Sequence, residues 1–285
     1  MLIDIGPVTM IIKAKKNGKE YEFEERKINA YVTELLHQLS SVLPILKQPA
    51  FKIKKISGLP EVARRMVEAV KEVNEEKLTP MAAVAGAIAE VVVKEFDDGK
   101  FDFIFANNGG DIALINRVDL PFSIKIGDIN KNCVLPYFLK VKDKGERGIA
   151  TSGFGGRSFT LGIADMVTVC ANKASVADAA STYIGNNTFI ESDKIIRKKA
   201  KEIDPLTDIP DELVVVKKYK LSEEEIIKSI EKGAEAAAKL LSLNVIDGFL
   251  ILIENRLYFE SVGNLTMEVK NGDKGGKGEK NCDDN

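Results

Sequence analysis

The chain has 285 residues and a mass of 31.3 kDa, enough for one large domain or two ordinary ones. Its 41 basic and 43 acidic side chains leave a formal net charge of −2, with a pI near 5.8; nothing in that balance pulls on nucleic acid or an anionic membrane, and neither is expected as a partner. Three scattered cysteines (Cys133, Cys170, Cys282) make no CxxC pair or disulfide framework, and one histidine cannot build a His-rich centre, so zinc chemistry is not expected and a reducing compartment fits.

In chain order, Met1 to Pro7 carries an early acid and a proline but neither the basic nor the apolar region of a secretory signal. No apolar run reaches the ~20 residues that span a bilayer, so a cytoplasmic location is expected. Residues 8–26 read as a charged hairpin, Met10–Ala14 against Glu20–Glu24 about a turn at Lys16-Asn17-Gly18. A helix over about 28–43 carries His37 on an amphipathic pattern that marks helix surface or packing. After an extended segment near Phe51-Lys52-Ile53, Pro60 opens a second helix with Val62, Met66, Ala69, Val70 and Val73 on one face. Thr79-Pro80 reads as an N-cap and first-turn proline for a small-residue helix from Met81, which can approach another backbone closely.

Strands are expected at Phe101–Phe105 and Ile112–Ile115 around Asn107-Asn108-Gly109-Gly110-Asp111, with further short ones near 122–126 and 137–141. Gly148 to Arg157 reads as a loop, Met166–Cys170 as a strand, and 174–184 as an alanine-rich helix ended by Gly185-Asn186. A capping box after Leu221 starts a helix to about Leu243, and strands at 248–254 and 257–262 close the pattern. The expected organisation is one α+β domain over 1–265, with antiparallel strand pairs and packed helices, then a disordered polar tail over 266–285.

Three segments can carry chemistry. Gly109 and Gly110 permit positive φ and let backbone approach a ligand, with Asp111 as a polar anchor; a plain tight hairpin turn is the other reading. The run Gly148 to Ser158, with Thr151, Ser152, Gly153 and Arg157, is dense in amides and hydroxyls, and Arg157 can grip a phosphate bidentately. It matches neither a Walker A loop nor a dinucleotide GxGxxG, and a flexible surface loop would look similar. Asp178 and Thr182, four apart on a helix, place two oxygens on one face where Mg2+ could bind, although such pairs also make local helix hydrogen bonds. Asp111 and Asp165 are candidates for positioning a ligand or nucleophile, and no residue reads as a general base.

Together and in this order, the three segments resemble the ApbE-like superfamily, whose best-known members are FAD:protein FMN transferases. The likeness is closest to its cytoplasmic prokaryotic branch, protein family 0280. That branch carries Pro80 to Ala87, the Asn108-Gly109-Gly110-Asp111 turn and Ala177-Asp178-Ala179-Ala180 through Gly185-Asn186. The resemblance spans about residues 8–200. It implies an FAD diphosphate and Mg2+ surrounded by Gly109-Gly110-Asp111, Thr151-Ser152-Gly153 and Ala177 to Thr182. It further implies Asp178 and Thr182 as metal-holding side chains at the catalytic centre, with the Ser181 and Ala87 carbonyls as additional ligands. Two departures stand out: Glu90-Val91 occupy the place of the transferases' Lys-Gly, and Ser158 to Asp165 lacks the His and Pro of their His-Asp-Pro stretch.

The resulting expectation is a flavin- or nucleotide-diphosphate-binding protein with a Mg2+ site, acting as an FMN-transferase-like or pyrophosphate-cleaving enzyme toward a protein acceptor the sequence does not name. The missing Lys and His favour an alternative, a non-catalytic carrier, sensor or assembly partner. A third reading, Thr151 or Ser152 as a nucleophile, lacks an evident activating base. The small-residue helices suit packing within the chain or between subunits, so a homo-oligomer is an open alternative.

Overall fold

A computed structural model describes residues 1–128, 133–142, 144–263 and 265–269. Strand β2 (Val8–Lys16) buries Val8, Met10, Ile12 and Ala14 at the period of two that a sheet with one covered face requires. It pairs with β1 (Leu2–Ile5) on one side and β4 (Phe103–Asn108) on the other, while only β3 (Lys19–Glu20) returns from the turn at Asn17-Gly18. The expected hairpin is thus cut short. Tyr21 and Phe23 leave the sheet to pack their rings on Phe101, at centroid distances of 4.9 and 6.0 Å, a larger apolar contact than an edge strand offers them.

The sheet continues through β5 (Asp111–Asn116), β8 (Gly145–Ser152), β9 (Met166–Ala171), β12 (Gly248–Ile253) and β13 (Arg256–Ser261), every pairing antiparallel. Its order is β1-β2-β4-β5-β8-β9-β12-β13, with β3 on β2, nine strands in all. A second sheet joins β14 (Leu265–Val269), β7 (Cys133–Val141) and β6 (Phe122–Asp128), and a two-stranded ribbon joins β10 (Ile195–Lys199) to β11 (Leu213–Lys218). Strand β14 runs across the domain boundary expected after 265; positions 270–285 of the expected tail lie outside the described residues.

Strands β5, β9 and β12 are buried along their whole length because both faces are covered. Ala150, Val167, Val169, Phe249 and Ile251 join the helix-side core, whereas Ile149, Met166, Cys170, Leu250 and Leu252 face the three-stranded sheet with Leu135, Leu139, Val141 and Leu265. The helix layer is α1 (Glu25–Leu46), α2 (Glu61–Asn74), α3 (Val84–Phe96), α4 (Ala174–Asn187) and α5 (Glu223–Ser242). Every face residue expected on α2 is buried, and Ser222 and Glu225 form the expected capping box of α5. His37 is exposed on α1.

Several local expectations change. Ala50–Lys52 is a short 3-10 turn rather than an extended segment. Thr79 does not cap α3: Pro80–Ala83 forms a separate 3-10 turn, and the Thr79 hydroxyl donates instead to the Asp208 carboxylate. Gly148 to Ser152 is not loop but the end of β8, and only the residues after Ser152 leave the sheet. Helix α4 runs through Gly185-Asn186 to Asn187. Strands β1, β10, β11 and β14 are additions to the expected elements; β1, β10 and β14 are short, and β10 is also strongly charged.

Gly86 lets α3 meet α4. A Cβ there would stand 2.2 Å from the Ala174 carbonyl oxygen and 2.9 Å from Asp178 Cβ, so no other residue fits without moving a helix. The close approach that the small-residue helix predicts is therefore made inside the chain.

Candidate functional site

Cross-strand register gathers the motifs. Asn108 lies opposite Asp111 across the turn, Ile112 opposite Ile149, and Ser152 opposite Val167. The Gly109-Gly110 turn, the end of β8 and the start of β9 therefore share one end of the sheet, and α4 lies across it. The turn needs its glycines: φ is +68° at Gly109 and +116° at Gly110. The Asn107 side chain secures it by accepting the Gly110 N–H at 2.8 Å, and the Asn108 amide nitrogen donates to the Ala85 carbonyl at 3.2 Å, tying the turn to the start of α3.

Asp111, the first residue of β5, is buried, and its Oδ1 accepts the Thr151 N–H at 3.2 Å. Burial pushes its carboxyl up to about 7, against the opposing pull of the Thr151 N–H and the Arg157 charge. Asp178, the fifth residue of α4, is also buried, and its Oδ2 accepts the Gly86 N–H at 2.9 Å. Burial and the negative charge of Asp111 raise Asp178 well above the usual carboxylate range, although the Gly86 and Ala85 N–H groups favour its anion. The structure thus brings two carboxylates, distant in sequence, into one electrostatic unit.

Arg157 is exposed, and its guanidinium lies over the glycine turn: a Cβ on Gly109 would stand 3.2 Å from its Cζ. The Thr151 hydroxyl meets that of Thr168 at 2.9 Å across the β8–β9 pair. Ser181 is fully buried and turns its hydroxyl back onto the Asp178 carbonyl at 2.9 Å. Ala87 is buried beside Gly86; Thr182 is half-buried one helical turn beyond Asp178; Ser152 is half-buried at the end of β8, and Gly153 starts the loop. Among the described residues no hydrogen bond joins the Thr182 or Ser152 side chain to either aspartate. Asp165 lies further along, paired at 2.6 Å with Lys218.

Glu90 has its own role. Its carboxylate, 4% exposed, accepts the Ser175 N–H at 3.3 Å and the Ser175 hydroxyl at 2.9 Å, and it pairs with Arg65. It therefore caps the N-terminal turn of α4, one turn before Asp178. The small-residue run at 81–89 signals the close approach made at Gly86 but not its partner α4, and the sequence carries no signal for the Glu90 cap or for the seat of Arg157 on Gly109, since each joins elements with no shared spacing.

A family model described as AbpE bacteria matches residues 1–267. The chain belongs to this family. Among its relatives, a UPF0280 protein of Methanococcus vannielii is 31% identical over 224 residues, covering 76% of this chain and 87% of that protein. A UPF0280 protein of Methanocaldococcus jannaschii is 34% identical over 181 residues, covering 61% and 72%. Of the solved structures, a mutant of the flavin transferase ApbE from Vibrio cholerae matches at 12% identity and TM-score 0.45, over 90% of this chain and 94% of that one. The ApbE protein of Thermotoga maritima matches at 14% identity and TM-score 0.39, over 85% and 77%. The branch expected from the motifs is the one found, and the α+β architecture is as expected.

Among the described residues no helix is long and apolar enough to cross a membrane, and no three His, Cys, Asp or Glu side chains gather as a metal centre.

Proposed function

We propose that this AbpE-family protein binds a nucleotide diphosphate, with FAD as the first choice, together with Mg2+ at the sheet end where Asp111 and Asp178 meet. The observation that carries the reading is this buried pair of aspartates beneath an exposed arginine and a turn stripped of side chains. Two carboxylates and the neighbouring Thr182 hydroxyl are hard oxygen donors, and their mutual repulsion fits a divalent cation whose shell is completed by water and phosphate oxygens. Asp178 and Thr182 would hold the ion, with Asp111 and the Ser181 and Ala87 carbonyls as further candidates. Bound there, Mg2+ would neutralise the diphosphate and polarise a phosphoryl oxygen.

The remaining work falls to the chain. Arg157 presents a planar fork of N–H donors to a phosphate. Gly109 and Gly110 keep the floor low so that ligand can approach backbone, while the Thr151 and Ser152 hydroxyls and the Gly153 amide border the same end of β8. These supports suit an FMN-transferase-like or pyrophosphate-cleaving activity on a protein or small-molecule acceptor. A non-catalytic carrier, sensor or assembly role is the second reading. It is favoured by Glu90, which is occupied in capping α4, and by the exposed His37 on α1, which leaves the site without an imidazole base.

Calorimetric titration with FAD, with and without Mg2+, tests the binding claim: wild type is expected to bind in a Mg2+-dependent way and Asp178→Ala to lose that dependence. No heat and no flavin fluorescence change at millimolar FAD would reject it. Mass spectrometry for protein-bound FMN or released AMP separates the two readings, since turnover abolished by Asp178→Ala excludes the non-catalytic one.

A further inference from the structure

The loop after Ser152 delivers Arg157 to the glycine turn, and its base is unusually constrained. Gly153 has φ +152° and lies so close to the following strand that a Cβ would stand 2.4 Å from the Asp165 carbonyl oxygen. The Phe154 N–H donates to the Ala164 carbonyl at 2.8 Å, and the Gly156 N–H turns back to the Gly153 carbonyl at 3.1 Å. Phe154 is half-buried, and beside its ring, 5.5 Å from the centroid, stands Lys218 Nζ.

Lys218 closes β11 and is itself held on several sides. Its ammonium pairs with Asp165 at 2.6 Å and donates to the Ile163 carbonyl at 2.9 Å, and the two side chains are only 10% and 12% exposed. Asp165 Oδ2 also accepts the Glu254 N–H at 2.6 Å from the β12–β13 turn, and Glu254 accepts the Leu221 N–H at 2.8 Å. Val215 N–H reaches the Thr160 carbonyl at 2.9 Å. The β12–β13 turn, the segment ahead of α5 and the β10–β11 ribbon are thereby joined to the loop that carries Arg157.

The geometry points to Lys218 as a positioning residue of the flavin site. Paired with Asp165, it seats Phe154 and so fixes the loop that sets the Arg157 guanidinium over Gly109. Lys218 touches none of the proposed ligand-binding atoms and acts through the loop. The consequence for FAD rests on the function proposed above; the tie between Lys218 and the loop does not. A buried ion pair is a weak source of net stability but strongly directional, which suits a brace better than a bolt.

The test has two arms. Hydrogen exchange in Lys218→Met is expected to speed up at residues 153–158 while the α2 and α3 amides stay protected; unchanged exchange in that loop overturns the inference whether or not FAD binds. Titration of FAD with Mg2+ is expected to show about tenfold weaker binding, equal to one charged contact. Lys218→Arg should recover most of it. Arg157→Gln supplies the decisive comparison: with Arg157 already removed, Lys218→Met should cause no further weakening, whereas additive losses overturn the inference. Wild type that binds no FAD rejects the flavin reading and leaves the exchange result to decide the brace. If Lys218→Met fails to fold because the Asp165 charge loses its ammonium partner, the pair Lys218→Met with Asp165→Asn removes both charges and takes its place in both arms.

Discussion

Burial of the Asp111 and Asp178 carboxyls makes stability fall as pH rises, the reverse of the usual behaviour of carboxylates held by a cation. The Asp111 carboxyl titrates at about 7 when folded, against 3.8 ordinarily, so between those values the folded protein holds a proton that the unfolded chain has lost. More protons bound to the folded state means that unfolding becomes easier with each increment of pH, levelling off above about 7 for Asp111. Asp178, raised by burial and by the Asp111 charge, carries the trend in the same direction. The full rise corresponds to about 4 kcal/mol, of which about 3 kcal/mol falls between pH 5 and pH 8. Glu225 is held down near 2 by Lys194 and Ser192, so the stability it contributes is lost only in more acidic solution and does not obscure this window. Urea denaturation in the presence of EDTA should then show a midpoint lower at pH 8 than at pH 5 by roughly 1 M. Asp111→Asn should reduce the difference to what buried Asp178 alone supplies, and Mg2+ should raise the midpoint at pH 8 but not at pH 5, because only the ionised pair attracts the cation. A midpoint that does not change from pH 5 to pH 8, or the same fall persisting in Asp111→Asn, would refute the argument.

Two further substitutions probe the scaffold. Gly86→Ala puts a methyl 2.2 Å from the Ala174 carbonyl oxygen, and the forced separation of α3 from α4 should lower stability by about 3 kcal/mol, a fall of roughly 6 °C or more in a thermal scan. An unchanged melting temperature would mean that the helices do not approach as described. Glu90→Gln breaks the link to Arg65 at the first turn of α4 and should be destabilising by about 2 kcal/mol, discounted because Arg65 keeps Glu61. Adding Arg65→Met should restore part of that loss in urea titration, and a purely additive double variant would contradict the coupling.

Local chemistry was readable before any tertiary contact was known. Helical spacing placed the buried face of α2, Ser222 and Glu225 declared the start of α5, and the paired glycines marked the β4–β5 turn, because each depends on residues within one or two turns of chain. The same locality explains the errors. Lys16-Asn17-Gly18 does make a turn, yet Tyr21 and Phe23 answer to Phe101 rather than to the strand beside them. Thr79 has the chemistry of a cap but gives its hydroxyl to Asp208, which arrives from far along the chain. Gly148 to Ser152 looks like loop until β5 and β9 pair with it on both sides.

By itself the sequence determined the inventory: an α+β fold, a glycine turn, a hydroxyl-rich segment ending in Arg157, and an aspartate on an alanine-rich helix. Only the tertiary structure decided that Asp178 is electrostatically coupled to Asp111, that Glu90 caps the helix carrying it, and that Arg157 reaches the turn on a loop braced from β11. The physical reason is range. Turns and helix caps are settled by neighbours along the chain, whereas burial and charge coupling depend on which distant backbones come close, as the methyl-free surface of Gly86 lets α3 and α4 do.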